Sequence, residues 1–134
     1  MITFDVAGDP ETKGSAKAFR HRSSGKIIVR NDNPRCQAWA ALVGWHARRA
    51  MGSTPPIASP VRVVAEFRLV RPKTTKLAAP RLDLDKLVRA GLDALTGVVF
   101  VDDRQVVAIT ATKAWADATR PAGVTMTIDE RTAP

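Results

Sequence analysis

The chain alternates apolar and polar residues in several short blocks, and shows a helical period in two longer ones. Residues 2–7, Ile-Thr-Phe-Asp-Val-Ala, alternate as a strand does. Residues 8–26 hold Gly8, Pro10, Gly14, Ser23, Ser24 and Gly25 and read as loop, and Ile-Ile-Val-Arg at 27–30 reads as a second short strand. Asn33-Pro34 suits a helix start, Asn as cap and Pro at the first helical position. Trp39, Val43, Ala47 and Ala50 then recur at helical spacing to about Met51. After a breaker-rich stretch from Gly52 to Pro60, residues 61–70 set Val61, Val63, Ala65, Phe67 and Leu69 against Arg62, Glu66 and Arg68, the pattern of a half-buried strand with one charged face.

Residues 71–82 form a basic segment that two prolines keep out of helix and sheet. A second helix is expected from about Asp85 to Thr96. Leu84, Leu87, Val88, Leu92 and Leu95 form its stripe, Gly91 permits close approach and Gly97 ends it. Residues 105–113 and 123–128 alternate again as two strands. The expected order is β-β-α-β-α-β-β: a single α+β domain over residues 1–134, with two helices packed on a mixed sheet.

Composition adds a partner. The 134 residues are 45% hydrophobic and 25% charged, an ordinary globular balance, but the net charge is +8. Such an excess of Lys and Arg suits a polyanion whose condensed counterions it displaces, which points to nucleic acid. Aromatic residues are only 5% and Tyr is absent, which argues against a base-stacking platform and for recognition of backbone and shape. The single Cys36 excludes an internal disulfide and a thiolate zinc site. No signal peptide is expected from Met1–Asp5, and no apolar run approaches the roughly 20 residues of a membrane helix. A cytoplasmic setting is therefore expected.

Within this basic chain Asp83-Leu84-Asp85 and Asp102-Asp103 stand out. If 83–85 is extended, both carboxylates face one way and Leu84 faces the core. The Asp102-Asp103 turn follows the second helix, and a helix returning along the sheet can set that turn beside Asp83 and Asp85. Converging carboxylates repel one another without a cation, and hard oxygen donors with no His or Cys suit Mg²⁺ or Mn²⁺. A plainer reading stays open: Asp85 as a helix cap, Asp85, Arg89 and Asp93 as a solvated ion-pair ladder, and Asp102-Asp103 as turn chemistry.

Other features carry less. Gly8–Ser15 mimics a phosphate loop, but Lys13 and Gly14 stand in the wrong order, so no nucleotide cofactor is expected. His21 and His46 lie in different elements at no ligand spacing, Cys36 fits a packing position, and Trp45 falls off the core stripe at an interface or a peripheral packing position. Glu66, on the charged face of its strand, is expected to be exposed, with a fourth acidic group near the site as the other reading.

The run from Leu82 to Val106, with Asp83-Leu84-Asp85-Lys86-Leu87, Asp93-Ala94-Leu95-Thr96-Gly97 and Asp102-Asp103-Arg104-Gln105-Val106, closely resembles the core of the RusA family of Holliday junction resolvases. That family shows D-x-D-N-L-x-K, D-A-L-x-G and D-D-x-Q-V. Gly8–Ser15 also resembles its N-terminal Pro-x-x-Lys segment. The resemblance implies a homodimer that resolves four-way junctions in DNA recombination and repair by paired symmetric nicks, leaving 5′-phosphate ends and requiring Mg²⁺ or Mn²⁺. The chain looks like the compact versions carried by phages and prophages, hence the cytoplasm of a bacterial or phage-infected cell. By position Asp83, Asp85 and Asp103 match the catalytic carboxylates. Two departures stand out: Lys86 replaces the family's Asn, and Arg89 replaces its catalytic Lys. Arg stays charged and does not serve as a proton donor as Lys can, but stabilises negative charge.

The expected chemistry is metal-assisted phosphodiester hydrolysis, with Asp83, Asp85 and Asp103 on the metal and Lys86 and Arg89 on the phosphate. Lys13, Lys17, Arg20, Arg71, Lys73, Lys76 and Arg81 are expected on the DNA backbone. A flap- or fork-selective nuclease is the second enzymatic reading, and a non-catalytic basic DNA-binding module is the reading from another class.

Overall fold

The alternation at Val61, Val63, Ala65 and Phe67 produces β4 (Val61–Leu69), a central strand in the computed structural model, which describes residues 1–12, 16–20, 24–31 and 34–131. On one side β4 pairs antiparallel with β6 (Gly123–Glu130), which pairs antiparallel with β1 (Ile2–Ala7). On the other side it pairs in parallel with β5 (Val106–Trp115). The resulting mixed sheet has the order β1-β6-β4-β5, so β5 is an outer strand.

Parallel neighbours need a crossover, and α2 (Leu84–Leu95) provides it between β4 and β5. Helix α1 (Arg35–Met51) packs against α2 and β1. One face of the sheet supplies Phe4, Val6, Val63, Phe67, Val124 and Met126 to the core. The helices meet it with Trp39, Val43, Ala47, Leu87 and Leu95, all buried. Gly91 allows the close approach expected of it: a Cβ there would lie 3.3 Å from Met126 Cε.

The element order is the expected one with a single addition. Within the segment read as loop, β2 (Ala16–Arg20) forms a two-stranded antiparallel sheet with β3 (Ile27–Asn31). Its five residues, Ala, Lys, Ala, Phe and Arg, are too few to show a period among so many breakers. Helix α2 begins and ends one residue earlier than expected, β5 runs to Trp115 and β6 to Glu130. Asn33, the expected cap of α1, lies outside the described residues, and Pro34 occupies the N-cap position. Ala50 is exposed at the end of the α1 stripe, while Met51 is buried.

Arg68 departs from its expected place on a charged, solvated face. It is only 8% exposed and donates from Nε to Pro121 O at 2.8 Å, and from Nη1 to Thr125 Oγ1 at 3.0 Å and Glu66 O at 3.3 Å. Three acceptors make burial of that guanidinium tolerable.

Candidate functional site

The β4–α2–β5 unit decides where each acidic residue goes. In such a unit the helix runs against both strands. The chain leaves the C-terminal end of β4, passes residues 70–83 and enters α2 at Leu84. The 12 residues of α2 then carry it about 18 Å to the other end of the sheet. There Thr96 and Ile57 both bridge to Phe100, and a 3-10 turn at Asp103–Gln105 feeds β5. Strand β5 brings the chain back, and Lys113 near its end donates from Nζ to Pro80 O and Leu82 O, both at 2.8 Å. The Asp102-Asp103 turn is therefore not set beside Asp83 and Asp85. What returns to them is the far end of β5, because a 12-residue helix and a 10-residue strand each span the sheet once.

Asp83 and Asp85 do not form the expected extended pair. Asp83 is the extended N-cap residue of α2, with φ −66° and ψ 127°, and makes no side-chain cap bond, while Asp85 lies in the first helical turn. A carboxylate there is favoured by the helix dipole. Leu84 packs against the core as expected. Lys86 Nζ lies 3.6 Å from Asp83 Oδ2 and Arg89 Nη2 lies 4.0 Å from Asp85 Oδ2. The aspartate side chains are 61% and 72% exposed, so both pairs are loose, solvated contacts worth well under about 1 kcal/mol each. Those four side chains can turn to a ligand at little cost.

At the opposite end, Asp102 is occupied with structure. Its side chain accepts from Arg104 N at 2.9 Å, its own N–H donates to Gln105 Oε1 at 2.9 Å, and Arg104 Nε stands 3.3 Å from Oδ2. The Arg104 backbone N–H, more than its guanidinium, holds the Asp102 carboxyl below the ordinary 3.8. Gln105 Nε2 anchors the turn on Ile57 O at 2.7 Å and Ser59 O at 2.9 Å. Of the acidic pair, Asp102 caps the turn and Asp103 is exposed beside it. Among the described residues, no three or more His, Cys, Asp or Glu side chains gather into a group able to hold a metal ion. Ligands of one magnesium ion must lie within about 2.1 Å of it, and Asp103 sits a helix length from Asp83.

The cations cluster with Asp83 and Asp85. Arg71, Lys73, Lys76 and Arg81 are all exposed on the loop entering α2. Lys76 and Arg81 line a cleft of 580 Å³ walled by Pro72, Leu77 and Trp115. The N-terminal basic segment leaves the same end of the sheet: Gly8 N donates to Ala122 O at 3.2 Å, and Asp9 Oδ1 accepts from Val70 N at 3.1 Å. Lys13 lies outside the described residues, and Lys17 and Arg20 are placed only by the backbone of β2, in register with Arg30 and Ile27.

Glu66 is exposed, on the face of the sheet away from the helices, where it shares a cavity of 380 Å³ with Asp5 and Arg68. Cys36 is buried and free of disulfide bonds. Trp45 is 51% exposed, with the Arg49 guanidinium 4.9 Å from its ring centroid and His46 edge-on. No described helix is long and apolar enough to cross a membrane.

Sequence reasoning missed Lys113 and Trp115. Trp115 Nε1 donates to Leu77 O at 2.9 Å, so both residues hold the basic loop from the end of β5. The available signal was phase, since Lys113 shares its strand parity with Ala111 and Trp115, which pair with buried Ala65 and Leu69.

The family model described as Endodeoxyribonuclease RusA matches residues 8–128 of the chain. None of the curated proteins matches it. The family model covers nearly the whole chain, which therefore belongs to the RusA endodeoxyribonuclease family, nucleases that act on DNA junctions.

Proposed function

We propose that this protein is a metal-dependent endodeoxyribonuclease that resolves four-way DNA junctions as a homodimer, by paired symmetric nicks that leave 5′-phosphate ends, in the cytoplasm of a bacterial or phage-infected cell. The observation that carries this reading, beside the family match, is the basic loop of residues 71–82 running straight into Asp83 and Asp85. Backbone-binding cations and hard-cation donors thus share one end of the molecule.

The donors fit Mg²⁺ or Mn²⁺ in chemistry, being exposed carboxylates with no His or Cys. Asp83 and Asp85 would hold the ion from one chain. Asp103, a helix length away, would reach it from the partner. Strand β5 offers the route, since it is an outer strand whose Val107 and Ile109 are 61% and 46% exposed. Two copies of an outer strand related by a two-fold axis pair antiparallel. That pairing carries the Asp103 turn of each toward the end of the partner's β5, where Asp83 and Asp85 stand. A bound ion polarises the phosphate and supplies an activated water at neutral pH.

The chain's own residues do the rest. Arg71, Lys73, Lys76 and Arg81 seat the backbone beside the carboxylates, with Lys13, Lys17 and Arg20 on the second basic segment. Lys86 and Arg89 swing from their loose aspartate contacts to the scissile phosphate and neutralise the charge that grows as water adds to phosphorus. The P–O3′ bond then breaks, the 3′ oxygen takes a proton, and the phosphate stays on the 5′ end. The Arg89 guanidinium stabilises charge and transfers no proton.

The test is cleavage of an end-labelled synthetic four-way junction beside a matched linear duplex, in Mg²⁺, Mn²⁺ or EDTA, by wild type and Asp85→Asn. Paired nicks on the junction alone, with metal alone and in wild type alone, are expected. Cleavage of forked duplex in preference to the junction would replace the resolvase reading with that of a fork nuclease. Tight binding with no cleavage in either metal would leave a binding module.

A further inference from the structure

Lys113 does not belong where it is by hydropathy. It occupies a strand position between Ala111 and Trp115, on the phase whose β4 partners are the buried Ala65, Phe67 and Leu69. A lysine there is retained only if its ammonium finds acceptors. It finds two backbone carbonyls, Pro80 O and Leu82 O, each at 2.8 Å and partly buried, the short distance of a charge-assisted bond. Both carbonyls lie in a stretch without helix or strand, immediately before Asp83. Two positions further along β5, Trp115 Nε1 holds Leu77 O at 2.9 Å. One end of one strand therefore fastens the loop at 77, 80 and 82, the stretch that carries Arg81 and leads into the first carboxylate.

We propose that Lys113 is a positioning residue for cleavage: by bridging the carbonyls of Pro80 and Leu82, it fixes the segment that carries Asp83 and couples the seating of DNA on the basic loop to the placing of that carboxylate. The inference rests on the nuclease reading. Its ammonium is engaged by two backbone carbonyls, so it acts through the backbone. Misplacing a reacting group by about 1 Å costs on the order of 100-fold in rate. A loosened segment spends only part of its time displaced, so a loss of kcat of roughly 10- to 100-fold is expected. Junction affinity, spread over many phosphate contacts, should change by less than about threefold.

The experiment compares wild type, Lys113→Met and Lys113→Arg. Met keeps the aliphatic stem and removes the donors, while Arg keeps them. Lys113→Gln, which retains a neutral donor, replaces the Met variant should that chain fail to fold. Two readouts are taken: amide hydrogen exchange over residues 77–85, and kcat and KM on a labelled four-way junction with Mg²⁺. Faster exchange confined to that segment in Lys113→Met, a fall in kcat with KM nearly unchanged, and rescue of both by Lys113→Arg are the expected results. Unchanged exchange would show that the bridge does not hold the segment, and faster exchange with unaltered kcat would show that holding it serves only folding; either overturns the proposal. A wild type that cleaves no junction removes the nuclease reading itself, a result seen without reference to any Lys113 variant.

Discussion

If the metal site is shared between protomers, two dead enzymes should make a live one. On that reading, Asp83→Asn and Asp103→Asn should each abolish cleavage when pure. In a mixed dimer one site then takes both lesions. The other combines an intact Asp83 and Asp85 from one chain with an intact Asp103 from its partner. Free exchange of equal amounts makes about half the dimers mixed, each with one working site of two, so about one quarter of wild-type sites return. The product should change as well, since a dimer with one working site nicks one strand and leaves the junction unresolved. The expectation rests on lengths: α2 spans about 18 Å between Asp83 and the turn holding Asp103, against metal–oxygen bonds of about 2.1 Å. The assay mixes the variants, allows exchange, and counts nicked and resolved junctions on a denaturing and a native gel. Asp83→Asn mixed with Asp85→Asn is the control, and should stay dead because both lesions fall on the same chain's share of the site. Cleavage by the Asp83/Asp103 mixture no higher than that of either parent would refute the shared site. It would require Asp103 to reach Asp83 within one chain, by a rearrangement of the β4–α2–β5 unit.

Two further predictions concern the fold. Gly123 has φ +152° at the start of β6, and a Cβ there would stand 2.0 Å from Val6 O; Gly123→Ala should cost at least about 3 kcal/mol or prevent folding, read from urea unfolding, and a loss under about 1 kcal/mol would contradict the close pairing of β1 with β6. Asp117 accepts from Thr119 Oγ1, Arg120 N and Thr119 N, and the hydroxyl bond first, then the two amides, hold its carboxyl below the ordinary 3.8. A lowered native pKa gives stability that is present above the unfolded value and lost as pH falls through the native one, so thermal stability should drop below about pH 4, and drop less steeply in Asp117→Asn.

Much of the fold was legible because its elements are periodic over enough residues. The alternation in β4 and the α2 stripe survive intact, and Gly91 and Gly97 do what their positions imply: Gly91 is buried against Met126, and Gly97 follows the helix with φ +81°. Strand β2 was illegible because five residues between glycines, serines and cations offer no period to read. Arg68 misled for another reason. Its alternation with Phe67 and Leu69 correctly puts it on the other face, but the connection from β5 to β6, contributing Pro121 O, folds over that face and buries it, and a contact across 53 residues leaves no local trace.

The site divides along the same line between local and distant. That Asp83 and Asp85 belong with the basic loop is local, since they are consecutive, and the sequence states it. That Asp102 caps a turn is local too, because Asp at the cap and Gln three residues on supply each other's bonds. Where the Asp103 turn goes is a matter of topology. Once β4 and β5 are parallel neighbours joined by α2, the helix must consume one full crossing of the sheet, and its two ends cannot meet. The motif spacing that links Asp83 to Asp103 therefore measures the length of α2 and its turn, not a distance within a site. A two-fold partner turns that separation from an obstacle into a requirement: each chain would present two carboxylates at one end and one at the other, and the site would be complete only where two chains meet antiparallel along β5. Such an arrangement would leave a lone chain without a complete site and give a wild-type dimer two, the condition a paired cut across a junction demands.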